Sequence, residues 1–274
     1  MNKNILETRE LGDYRIKVFA DYDDECPCTS WDMTGCFLWE YRDIKRLADC
    51  CNWEDTFSKN NHSLTEALCY LVQTYVDWKD LINYIKNKKL DKFYIEYDPE
   101  ENLWNFTTTH ALYGIYNRHI ICSTSPEDLY IDDYTCELIE VMEKNELIQI
   151  LQDLGKNIFI KEWSSVGYCQ GDYCEGVAFC TKDRFERMAS KDTTDWKKKA
   201  DTLIEREVKI LSMWLWGDVK GFVVEKKIYY TKHYNDPERE DEVCFEWEEI
   251  DSCWGNYMET EELIEMAISE NNLK

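Results

Sequence analysis

Three aspartates in the C-terminal half sit in segments of one pattern. Gly167-Tyr168-Cys169-Gln170-Gly171-Asp172-Tyr173, Trp214-Leu215-Trp216-Gly217-Asp218-Val219-Lys220-Gly221 and Asp251-Ser252-Cys253-Trp254-Gly255-Asn256-Tyr257 each join glycine, aspartate and an aromatic residue. Carboxylates gathered at loop ends supply the oxygen ligands of a divalent cation. The same residue types also build turns. Glycine adopts left-handed backbone, aspartate bonds nearby amides and tryptophan anchors a core edge. A shared pocket and three independent turns therefore both remain open. Cys253 and His233 contain the atoms of a thiol nucleophile and its base. No helix N-terminus is predicted at Cys253 to activate it, and the sequence holds no Gly-rich phosphate loop and no serine elbow.

Thirteen cysteines raise the question of metal. Cys26-Pro27-Cys28, Cys50-Cys51 and the wider set Cys169, Cys174 and Cys180 contain no Cys-x-x-Cys pair, and His62, His110, His119 and His233 form no matching pair. Structural zinc sites favour such paired ligands. The expectation is no metal, no other cofactor and no disulfide framework, with most thiols acting as small buried hydrophobes.

Charge gives the clearest functional hint. The chain carries 56 acidic and 32 basic side chains, a net of −24. Residues 236–274 hold 14 acids and two bases, a net of −12, so half of the total lies in the last 39 residues. Residues 121–155 hold nine acids and one lysine, a net of −8, whereas residues 156–235 hold 15 bases and 12 acids, a net of +3. Such a surface repels nucleic acid and membranes and attracts basic protein surfaces. The run Lys197-Lys198-Lys199 is read as a solvated helix face.

Positioning these groups requires a folded frame, and 44% hydrophobic residues with few Gly and Pro provide for one. Alternation predicts strands over 14–20 and 35–41. Ser63 with Glu66 forms a capping box for a helix over 63–78, and a second helix covers 80–89. Strands follow over 92–97, 102–108 and 113–122, then an acidic helix over 136–154 ended by Gly155. The C-terminal half reads as strands 158–163 and 174–180, a helical stretch 182–214 broken near 191–194, strands 221–230 and 242–250, and a helix over 260–269 capped by Thr260. The order strand-strand-helix-strand-strand-helix predicts an α+β fold with antiparallel sheets. A division into 1–155 and 156–274, or one continuous domain, is expected. The start MNKNILETRELGDY lacks a secretory pattern and no stretch is apolar enough to span a bilayer, so a cytoplasmic setting is expected.

The three aspartate segments resemble an uncharacterised family of phages, plasmids and other mobile elements, whose members carry "GYSQGD", "GDVYGYVVE" and "DSCWGFYG" in this order. The stretch from Asp21 to Pro27, with Trp31-Asp32, is more loosely similar to the family's "DENPR…WDNLGTM". Here Cys169 replaces Ser, Asn256 replaces Phe, Met258 replaces the final Gly, and Cys28 replaces a basic residue. The resemblance implies a mobile-element origin and no particular reaction. It singles out Gly167, Tyr168, Gln170, Gly171, Asp172, Trp216, Gly217, Asp218, Asp251, Cys253, Trp254 and Gly255 as one motif set. Charge adds an acidic face of Asp236, Glu238, Glu240, Asp241, Glu242, Glu246, Glu248, Glu249 and Asp251. Together they lead to the expectation of an inhibitor that occupies the basic nucleic-acid-binding surface of a host defence protein, of restriction or CRISPR type, without binding nucleic acid itself. A metal- or thiol-dependent enzyme, or a phage accessory protein, is the alternative.

Overall fold

The computed structural model describes residues 4–21, 25–40, 46–48, 52–53, 62–87, 90, 92–112, 115–130, 136–166, 173–234, 238 and 240–273. Among them, eight helices and ten strands form three antiparallel sheets, the α+β class that the element order predicts. The chain divides into two compact units, one of Met1–Ser30 with Lys209–Lys274 and one of Trp31–Val208. Gly155 lies inside the second.

The first unit contains β1 (Ile5–Leu11), β2 (Tyr14–Ala20) and the short α1 (Pro27–Ser30) from the N-terminal segment. The C-terminal segment adds β9 (Lys220–Lys232), β10 (Glu242–Asn256) and α8 (Thr260–Glu270). The sheet order is β1-β2-β9-β10. Alternation decides its buried face: Ile16 pairs with Val224 and Val18 with Phe222, and all four are fully buried against Leu263, Ile264 and Ala267 of α8. Glu259, not Thr260, is the N-cap of α8, and its side chain makes no capping bond. The helix is held at this end by packing and by Arg9, which donates to both carboxylate oxygens of Glu261 at 2.8 and 2.7 Å.

In the second unit, β3 (Cys36–Trp39), β8 (Tyr173–Thr181) and β7 (Ile158–Val166) form a sheet in the order β3-β8-β7. A second sheet is the meander β4 (Phe93–Asp98), β5 (Leu103–Leu112) and β6 (Ile115–Thr124). The helices are α2 (Leu64–Tyr75), α3 (Trp78–Lys86), α4 (Cys136–Glu140), α5 (Lys144–Leu154) and α6 (Lys182–Met188), while α7 (Trp196–Leu215) contributes residues to both units. The predicted capping box is present on α2: Ser63 accepts from Glu66 N, and Glu66 accepts from Ser63 N. The single helix expected over 136–154 is two. Glu143 leaves helical geometry and forms a reciprocal cap with Glu146, so the chain restarts there although the apolar periodicity runs on.

One half-buried carboxylate organises the start of β3. Glu207 of α7 accepts from the backbone N–H of Thr34 at 2.6 Å and of Gly35 at 2.8 Å. Arg184 of α6 donates to the carbonyls of Met33 and Thr34 at 2.7 and 3.0 Å. One anion and one cation thus satisfy both polarities of a backbone turn removed from water. Burial pushes the Glu207 carboxyl above the usual carboxylate range, against the lowering effect of the two amides and Arg184. The folded pKa exceeds the unfolded one, so the contribution of Glu207 is greatest at low pH and declines as pH rises through the folded value. Glu207→Gln is expected to lose about 1–3 kcal/mol in urea unfolding, since Gln cannot accept both amides well. The wild-type advantage should be larger at pH 5 than at pH 7.5. An advantage that grows with pH would contradict this assignment.

Candidate functional site

The second and third motifs gather at one end of the first unit's sheet, whereas Tyr173 of the first motif begins β8 in the second unit. The chain leaves α7 through a Schellman turn: Asp218 N–H donates to Met213 O at 2.8 Å and Gly217 N–H to Trp214 O at 3.0 Å. Gly217 takes φ +66°, the left-handed value this turn requires. The Asp218 carboxylate then accepts from Lys220 Nζ at 2.5 Å. Lys220 is buried, and its ammonium also donates to Met258 O at 3.2 Å. A buried ammonium needs such partners.

The third motif closes over the same place. Asn256 pairs with Lys220 across the sheet. Gly255, at φ +71°, donates its N–H to the Asp21 carboxylate at 3.1 Å, while Asp21 N–H donates to Val219 O at 2.8 Å. The acidic N-terminal stretch and the tryptophan-glycine motif are therefore joined by a direct hydrogen bond. The Trp254 ring lies on Gly221 and against Phe19, with centroids 5.7 Å apart. A Cβ on Gly221 would come within 2.1 Å of the Trp254 ring.

These contacts give each described aspartate its own partner. Asp218 pairs with Lys220 and Asp251 accepts from Asn271 Nδ2 at 2.8 Å. Gly167, Tyr168, Gln170, Gly171 and Asp172 lie outside the described residues. Among the described residues, no group of three or more His, Cys, Asp or Glu side chains could hold a metal ion.

Cys253 and His233 lack the geometry of a thiol nucleophile and its base. Cys253 pairs with Phe222, whereas His233 lies just past the other end of β9, eleven residues on. At 3.4 Å per residue the two are roughly 35 Å apart. His233 instead contacts Asp241 at 2.7 Å near the hairpin tip. Burial pushes the Cys180 thiol up to about 12, far from a thiolate at neutral pH.

The acidic face falls on the other part of the same hairpin. Strand β2 pairs with β9 only from Lys220 to Lys226, so beyond that point β9 and β10 continue as a two-stranded ribbon. Directly opposed residues share a face. One face carries Glu242, Cys244, Glu246 and Glu248, opposed by Lys232, Tyr230, Ile228 and Lys226. The other carries Val243, Phe245 and Trp247, opposed by Thr231, Tyr229 and Lys227. Glu238, Glu240, Asp241, Glu242, Glu246, Glu248 and Glu249 are all exposed, Asp251 is half-buried, and Asp236 lies outside the described residues. Among the described residues, Glu246, Glu248 and Glu249 make no ion pair.

Sequence reasoning found the acids and missed the apolar face between them. Val243 is 70% exposed and Phe245 49%. Phe245 packs on Trp247 and Tyr229 with centroids 5.9 and 6.1 Å apart, and Lys227 Nζ lies 5.2 Å from both the Phe245 and the Trp247 ring centroids. The alternation in Glu242-Val243-Cys244-Phe245-Glu246-Trp247-Glu248 carried that signal. Also unforeseen were the buried Lys220 and the bond between Asp21 and Gly255.

Comparison with family models, with curated proteins and with solved structures finds no match for this chain. Packing of Trp254 on Gly221 holds the turn cluster together. Gly221→Ala should destabilise the protein by about 1–3 kcal/mol through overpacking against Trp254. In a Trp254→Ala background the same change should cost far less. Equal losses in the two backgrounds, measured by urea unfolding, would show that the ring is not what forbids a side chain at 221.

Proposed function

We propose that this chain is a mobile-element protein that binds and inhibits a nucleic-acid-handling host defence system, of restriction or CRISPR type. Its acidic C-terminal face occupies the partner's basic nucleic-acid-binding surface within the host cytoplasm. One observation carries this reading: exposed glutamates line the two-stranded part of the β9–β10 hairpin, with Glu246, Glu248 and Glu249 in no ion pair among the described residues. Charges held this way keep their field for a partner. The net of −24 argues against nucleic acid as the direct ligand. Among the described residues, no helix is long and apolar enough to cross a membrane. The likeness of the motifs to mobile-element proteins adds the setting.

The test is affinity purification of the tagged protein from phage-infected host cells. The expected partners are nucleic-acid-binding defence proteins that elute with salt and are displaced by duplex DNA. Changing Glu246, Glu248 and Glu249 together to Gln should slow association about tenfold at low salt and flatten its salt dependence. Partners that bind no nucleic acid, or retention at low salt unchanged by the triple substitution, would sink the proposal.

A further inference from the structure

The ribbon's outer strand is also an open edge. β10 closes the sheet order β1-β2-β9-β10, so among the described residues its far side has no neighbouring strand. From Glu242 to Glu249 it pairs residue by residue with β9, without a bulge; irregularities begin only between Glu249 and Asp251. Eight residues of regular strand span about 27 Å. Among the described residues, no backbone group of these eight takes a backbone partner outside β9. Half of their N–H and C=O groups point away from β9, as antiparallel pairing requires.

Proteins usually blunt such an edge with lysine, proline, a bulge or a cover. Glu242–Glu249 holds no lysine, no proline and no bulge. It has four glutamates instead, at 242, 246, 248 and 249. That choice selects the occupant. A second copy paired antiparallel about Phe245 would set Glu242 opposite Glu248 twice, and one paired about Glu246 would set that residue opposite itself; either brings together two segments of net −12 each. Like charges directly opposed oppose pairing. A strand with lysine or arginine at alternate positions would lay those cations beside Glu242, Glu246 and Glu248. Its remaining side chains would fall on the opposite face, beside Val243, Phe245 and Trp247. Lys226 and Lys232 of β9 also stand on the acidic face, opposite Glu248 and Glu242, which leaves Glu246, opposite Ile228, as the least neutralised position.

We propose that the free edge of β10, over Glu242–Glu249, takes up an extended partner segment that alternates Lys or Arg with apolar residues, as an added strand of the sheet. The interaction rests on the reading that the acidic ribbon meets a basic protein surface. It adds the mode of recognition: main-chain hydrogen bonds supply affinity, and the two faces supply specificity.

The probe is the peptide Lys-Val-Lys-Thr-Lys-Val-Lys-Thr-Lys, titrated calorimetrically into the whole protein. Two isomers are compared, one N-methylated at three of the lysines and one at three of the intervening residues. An added strand turns one set of N–H groups toward β10 and the other toward solvent. One isomer should therefore bind at least tenfold more weakly than the other, and the Glu246, Glu248, Glu249→Gln variant should weaken the unmodified peptide. Equal affinity of the two isomers, or no measurable binding of the unmodified peptide, overturns strand addition. If the triple variant nonetheless loses its co-purifying partners, the acidic-surface reading survives alone. If the isomers are discriminated but the co-purifying proteins bind no nucleic acid, the strand site stands and that reading falls.

Discussion

The pairing of β2 with β9 is the constraint from which the first unit follows. It joins Tyr14–Ala20 to Lys220–Lys226, segments some 200 residues apart in sequence. Without it Ile16 and Val18 have no Phe222 and Val224 beside them, and α8 has no continuous apolar surface to cover. The entropy of closing so long a loop grows only logarithmically, by about 0.6 kcal/mol per doubling, so the distance is tolerable at equilibrium. It acts mainly on kinetics, because this sheet cannot complete until both ends of the chain exist. On the opposite face of the pair, Arg15 and Lys17 both bond Glu225, at 2.5 and 2.9 Å, which fixes the register with charge as the core fixes it with shape.

That constraint also explains what sequence reasoning could and could not see. The α2 capping box, the β4–β5–β6 meander and the β9–β10 hairpin were legible because each depends on neighbours within a few residues. The grouping of residues 1–30 with 209–274 was not, since no linker or composition change marks a pairing made across the chain. β1 was missed because its sequence, ILETREL, is half charged: it is an edge strand with little to bury. The break between α4 and α5 escaped notice because neither Gly nor Pro marks it. Of the candidate site, the acids were plain and the role of Trp254 as a lid on Gly221 was legible in kind. The partners were not, because Asp21 with Gly255 and Asp218 with Lys220 depend on tertiary placement.

Two kinds of charge are handled differently in this molecule. Glu207 and Lys220 are drawn inside and given dedicated partners at close range, so their fields are spent locally. The ribbon glutamates are left in water, where holding them costs little and their field reaches outward by about a Debye length, roughly 8 Å at physiological salt. Asp218 and Asp251 of the turn motifs belong to the first kind, each held by a partner at close range.

Charge alone makes an indiscriminate ligand, since any basic surface would attract it. An exposed strand edge supplies what charge lacks, a ladder of donors and acceptors that only extended backbone in register satisfies. An open edge alone is equally indiscriminate and invites self-association. Under the proposed strand addition, each property restrains the other on β10. The glutamates would turn away a second copy and other acidic chains, while the ladder would turn away basic surfaces that cannot present a strand. Apolar side chains on the reverse face would then select an amphipathic incoming strand. Specificity would arise from three weak filters acting on the same eight residues, with no deep pocket needed.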